Sequence, residues 1–146
     1  MGTRAFSINE IYGNVGISDS VRVIRNSFRT IAKEFNLTRD NCPTHPSFVT
    51  IRQLTELKKK GLYFFGGFLG EIQVGFVALE KADEALYYLE KLAVLPDYRH
   101  QDYGQKLEEF AVDYVRSHNG EKISIGTINE HTILKNWYKK LGFREV

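Results

Sequence analysis

Between Val21 and Phe35 the apolar residues Val21, Ile24, Phe28, Ile31, Ala32 and Phe35 recur every three or four positions, the spacing of one helix face. Asp19 and Ser20 precede that run and predict its opening turn. Upstream, Phe6–Tyr12 reads as a short first strand. Downstream, Asn41-Cys42-Pro43-Thr44-His45-Pro46 reads as a loop, because its prolines oppose a helix interior. Thr50 and Gln53 have capping-box spacing for a second helix carrying Ile51, Leu54 and Leu57. Lys58-Lys59-Lys60-Gly61 reads as its end, cations on the negative pole of the dipole and glycine at the exit.

The spacing then shortens. Leu62–Phe68 and Ile72–Leu79 predict two strands joined by a tight turn at Leu69-Gly70. The glycines of Gly66–Gly70 lack G-x-G-x-x-G spacing and no helix follows, so a hairpin is the better reading than a dinucleotide loop. After the charged turn Lys81–Glu84, the segment Leu86–Val94 is a further strand, stopped by Pro96. From Tyr103, Leu107, Phe110, Ala111, Tyr114 and Val115 restore helical spacing as far as Asn119-Gly120. Ile123–Ile128 alternates as a strand. His131–Lys140 predicts a last helix with Ile133, Leu134, Trp137 and Leu141 inward, closed by Gly142. The order βααβββαβα predicts an α/β fold, with a mixed sheet and helices on both faces.

Composition narrows the class more than the chemistry. A chain of 146 residues with 42% hydrophobic and 26% charged residues fits one ordinary globular domain with one well-filled core. A formal charge of +2 is too small to argue for nucleic acid or an anionic membrane surface. The lone Cys42 excludes an internal disulfide and a cysteine-rich metal site. The start MGTRAFSINE has no apolar core of a secretion signal, and the longest apolar run is too short to span a bilayer, so a cytoplasmic protein is expected.

The candidate chemistry gathers around Leu86–Lys106. Glu90 is the only carboxylate in an apolar strand, and burial there would raise its pKa. It reads equally as a base or as the partner of a neighbouring cation. After Pro96, Arg99-His100-Gln101-Asp102-Tyr103-Gly104-Gln105 brings consecutive backbone N–H groups to a helix mouth, where the dipole favours phosphate. Asp102 and Gln105 also have capping-box spacing. Asp tolerates the left-handed region, so a curled anion nest can form with Asp at that position. Its charge opposes a bound phosphate unless it points outward, and Arg99 and His100 offset it.

Arg99 to Gly104 resembles the coenzyme-binding motif of the GNAT superfamily of N-acetyltransferases, Arg/Gln-x-x-Gly-x-Gly/Ala after a strand, with Asp102 where the first glycine should stand. The stretch from Asn129 to Tyr138-x-Lys140-x-Gly142-Phe143 is similar to that family's closing signature. Together the two segments extend the resemblance over nearly the whole chain. It implies a central, mostly antiparallel mixed sheet and an acetyl-CoA-dependent N-acetyltransferase. The coenzyme would lie on Leu92, Ala93, Val94, on the Arg99–Gln105 segment and on Asn129, which would also cap the last helix. Glu90 would deprotonate the amine, and Tyr138 would protonate the thiolate, since a tyrosine pKa near 10 lies above a thiol's near 8.5. A core tyrosine with a satisfied hydroxyl is the alternative for Tyr138.

His45, in the loop that lies over the acceptor cleft in this fold, is the acceptor-side candidate, with plain packing as the alternative reading. Cys42 has no base partner to make it a nucleophile, so direct attack in a ternary complex is expected. The acceptor is a small-molecule or peptide amine, with no metal, nucleic acid or membrane involved. Alternatives are a non-catalytic acyl-CoA-binding regulatory module and a transferase for a longer acyl donor. The family fold carries two more strands than Val146 allows. The final strands are therefore expected to be missing from a trimmed chain, or the bare edge to pair in a homodimer.

Overall fold

In the computed structural model, residues 5–43 and 45–125 are described. Strand β1 (Phe6–Glu10) leads into helix α1 (Gly13–Glu34), a one-turn 3-10 helix at Pro46–Phe48 and helix α2 (Ile51–Lys59). Three strands follow, β2 (Tyr63–Leu69), β3 (Ile72–Lys81) and β4 (Leu86–Val94). A second 3-10 turn at Pro96–Tyr98 precedes α3 (Tyr103–Ser117) and β5 (Lys122–Ile125). The sheet order is β1-β2-β3-β4-β5, antiparallel up to β4 and parallel between β4 and β5. This is the mixed, mostly antiparallel α/β sheet that the sequence predicts. The expected helix His131–Lys140, with Asn129 and Tyr138, lies outside the described residues.

Alternation along the strands builds two cores, one on each face. Phe64, Phe76, Ala78 and Ala93 pack beneath α1 and α2 with Val23, Ile24 and Leu54. Phe65, Val77, Leu79, Tyr87 and Leu89 pack beneath α3 with Leu107, Ala111 and Val115. Close approach on the α3 side needs glycine: a Cβ at Gly75 would stand 2.8 Å from Leu107, and one at Gly67 2.6 Å from Phe6. The glycine-rich hairpin therefore seats α3.

Several boundaries differ from the sequence reading, most by one or two residues, and three of the differences have a cause in the chain. Helix α1 begins at Gly13, six residues before Asp19, because Gly13 takes a left-handed φ of 71° and turns the chain directly from β1. Ser20 then lies inside the helix, where its hydroxyl donates to the Gly16 carbonyl and accepts from Gln73 Nε2 at 3.1 Å. Leu69 pairs with Ile72, so the hairpin turns at Gly70-Glu71, and Pro46 opens a 3-10 turn with the φ its ring presets. The Thr50–Gln53 capping box forms in both directions, at 3.1 and 3.0 Å.

Candidate active site

Strand β4 is regular at one end and split at the other. Its first half sends Tyr87 and Leu89 into the α3-side core. Register then shifts: Ala78 pairs with Glu90 and Phe76 with Ala93, leaving Val77 opposite both Lys91 and Leu92. Two residues facing one is a β-bulge, and Lys91 carries the left-handed φ of 55° that makes it. The bulge resets the alternation. Leu92 and Val94 now face the α3 side, while Ala93 is buried under α1.

Among the described residues, pairing on the outer edge stops at the same level. β5 pairs with β4 only from Leu86↔Lys122 to Leu89↔Ile125. Among the described residues no strand pairs with that edge of Glu90–Val94. Arg99 Nε donates to the Val94 carbonyl at 3.2 Å, so that carbonyl faces the open side. In an antiparallel ladder a residue's N–H and C=O point the same way, so the Val94 N–H shares that side.

Beyond β4, Leu95 N–H donates to the Val74 carbonyl at 2.9 Å, and the 3-10 turn takes the N–H groups of Tyr98 and Arg99. The next backbone N–H to find a backbone acceptor is Lys106, bonded to Asp102 at 3.0 Å. Among the described residues the N–H groups of His100, Gln101, Asp102, Tyr103, Gly104 and Gln105 have no backbone partner. His100 and Asp102 both take φ 65°, the curl that turns successive amides into one concavity. The Asp102–Gln105 capping box does not form. An N-cap side chain reaches back to the helix from extended backbone, and Asp102 at φ 65°, ψ 12° makes no cap hydrogen bond.

The Arg99 guanidinium is engaged elsewhere. It donates to the Ser27 carbonyl at 2.5 Å and to Thr30 Oγ1 at 3.5 Å, clamping the nest-bearing loop to α1. Burial pushes its pKa down. Ser27 Oγ, beside the clamp, is buried without a hydrogen-bond partner.

Glu90 is partly covered, with 29% of its side chain exposed and Lys91 Nζ 3.8 Å from Oε2. Burial raises its pKa, Lys91 pulls the other way, and the Glu80 carboxyl adds to the rise. His45 is buried at the start of the Pro46 turn. Its Nδ1 lies 2.7 Å from Ser47 Oγ and 3.3 Å from Ser47 N, with its ring edge-on to Phe28 and Phe48. Burial lowers its pKa. No described contact links it to Glu90. The structure thus brings Glu90, Leu92–Val94 and the Arg99–Gln105 segment to one end of β4 and leaves His45 in the α1–α2 packing.

Lys91 and Glu80 were missed by sequence reasoning. The three-residue step from Leu89 to Leu92, breaking an even alternation, was the available signal for the bulge. Among the described residues no three His, Cys, Asp or Glu side chains gather as metal ligands, and no helix is long and apolar enough to cross a membrane.

A family model described as acetyltransferase (GNAT) family matches residues 26–143. No curated protein matches the sequence. Among solved structures, the PaiA N-acetyltransferase of Thermoplasma acidophilum in complex with coenzyme A superposes with a TM-score of 0.76 at 16% identity, over 96% of this chain and 90% of that one. A GNAT-family acetyltransferase of Staphylococcus aureus Mu50 gives 0.75 at 24% identity, over 97% and 86%. One from Elizabethkingia anophelis with acetyl-CoA bound gives 0.69 at 17%, over 97% and 77%.

Proposed function

The chain belongs to the GNAT family of acetyltransferases, and from that premise we propose that it is a single-domain, cytoplasmic enzyme moving an acetyl group from acetyl-CoA to a primary amine by direct attack in a ternary complex. One observation supports this most: among the described residues, six consecutive N–H groups have no backbone partner, and they lie at the end of a strand whose outer edge is paired only as far as Leu89. An anion and an extended amide-bearing arm are the two features of a coenzyme A molecule, so the residues present fit it. Acetyl-CoA supplies the activated acyl group.

The amides of His100–Gln105 hold the pyrophosphate, helped by the α3 dipole. The backbone of Leu92–Val94 takes the pantetheine amides along the open edge, and an N–H of that region polarises the thioester carbonyl. Arg99 holds the loop in place from behind through α1. Glu90 takes a proton from the acceptor ammonium, and burial raises its pKa, which strengthens it as a base. Tyr138 delivers a proton to the departing thiolate and Asn129 contacts the coenzyme, two roles that rest on the sequence signature. His45 shapes the acceptor side only through the packing of the α1–α2 connection.

The acceptor is a small-molecule or peptide amine. A panel of such amines, followed by thiol release from acetyl-CoA, identifies it. Glu90→Gln should lower kcat/KM by about a hundredfold above the acid limb of the profile, where Glu90 is ionised and the acceptor still carries its proton, the scale of a lost general base, with coenzyme affinity unchanged by calorimetry. Tyr138→Phe should lower kcat without weakening coenzyme binding. Absence of coenzyme A binding by folded protein would overturn the reading of the nest. A Glu90→Gln pH profile identical to wild type would remove Glu90 as base.

A further inference from the structure

A second carboxyl faces Glu90 and has no role so far. The register pairs Ala78 with Glu90 and Glu80 with Tyr88, so Glu80 stands diagonally across from Glu90 on the same face of the sheet. Diagonal neighbours stand about 7–8 Å apart, within reach of two long side chains. Both residues are half-buried, and the Glu80 carboxyl raises the pKa of Glu90. A carboxylate at that position opposes a second negative charge on Glu90. The cations around Glu90 are Lys91 on its own strand, 3.8 Å away, and Lys60 just past α2.

We propose that Glu80 is a positioning residue of the transferase, its carboxyl acting across the strand pair on Glu90 and so setting the pH at which the base is free. The proposal rests on Glu90 being that base. The proton balance is simple. The Glu90 carboxylate takes H⁺ from the acceptor R–NH₃⁺, leaving R–NH₂ and the Glu90 acid. The proton then passes to water, which restores the carboxylate for the next turnover. Lys91 and Glu80 act on Glu90 with opposite signs. The bulge that splits the strand thus places a cation beside the base, and β3 places a carboxyl across from it.

Opposite signs make the test sharp. The Glu90 side-chain carboxyl is followed by carbon-13 NMR during a pH titration of the intact protein, assigned with Glu90→Gln. The kcat/KM profile is measured with acetyl-CoA and the amine selected by thiol release. Glu80→Gln should lower the Glu90 midpoint by about one pH unit, the scale of a like-charge neighbour, and move the acid limb of the rate profile with it. Glu80→Ala should do the same, which separates the effect from the new amide. Lys91→Gln should move both upward. An unmoved midpoint in the Glu80 variants, with Glu90→Gln still abolishing the acid limb, overturns the role of Glu80 alone. A midpoint that moves while the acid limb stays overturns Glu90 as base, and this proposal with it.

Discussion

At the scale of single residues, Asp102 shows two effects that can be separated. It occupies a left-handed position that glycine fills without strain, and it puts a carboxylate beside six amides suited to an anion. Relief of left-handed strain by Asp102→Gly is worth about 1 kcal/mol, but glycine also loses about 0.5–1 kcal/mol more chain entropy on folding. The two nearly cancel, so the melting temperature without ligand should barely move. Coenzyme binding should tighten several-fold, because removal of the like charge is not offset by anything. Asp102→Asn tolerates the same backbone and lacks the charge, so it should recover most of that gain. Titration calorimetry with coenzyme A at two salt concentrations checks this, since a charge effect shrinks with salt. Wild-type affinity in both variants would mean that the carboxylate points away from the site.

At the scale of elements, the bulge in β4 decides where the site opens. Lys91 at φ 55° is tolerable for lysine, harmless for glycine and costly for a β-branched residue. Lys91→Val should destabilise the fold by about 1–2 kcal/mol and Lys91→Gly should not, by denaturant unfolding. Equal stability of the two would mean that the backbone at Lys91 relaxes out of the left-handed region. The Arg99 clamp is the other device. Its fork reaches the Ser27 and Val94 carbonyls together, and a lysine's single ammonium cannot hold both. Arg99→Lys should therefore lower the melting temperature and weaken coenzyme A binding together, and a change in one without the other would break that link. Strand limits for β4, the capping box of α2 and the element order as far as β5 were legible because each is a local pattern in spacing or composition. The bulge was only faintly legible, as one misplaced step between Leu89 and Leu92. The destination of the Arg99 side chain was not legible at all, since its shorter hydrogen bonds go to the Ser27 and Val94 carbonyls, backbone groups that any sequence provides. The early start of α1 was hidden for a similar reason: a glycine turn, not a capping side chain, sets it.

At the scale of the whole molecule, the sheet divides the interior into two cores, and they hold titratable groups of opposite sign. His45 sits against the α1-side core, buried and with its pKa lowered by that burial. A group whose folded pKa lies below its unfolded value near 6.5 leaves stability intact above that value, and stability is lost as pH falls toward the folded pKa. Glu108 lies buried on the α3 side, with its pKa raised first by burial and then by Glu109 and Asp113, while Arg116 opposes them. Its folded form holds a proton more tightly than the unfolded chain, so its contribution improves as pH falls through the folded value toward about 4.3, and worsens on the way back up. The two slopes oppose each other over the mildly acidic range. Calorimetric melting between pH 5 and 8 separates them. His45→Gln should remove the part of the acid loss that begins near pH 6.5. Glu108→Gln keeps the shape and cannot ionise, so it should melt above wild type at pH 8, with the gap closing toward pH 5. If His45→Gln keeps the wild-type slope below pH 6.5, the imidazole takes its proton without leaving the core. If Glu108→Gln gains nothing at pH 8, the carboxylate already finds water, and the α3-side core is wetter than its burial implies.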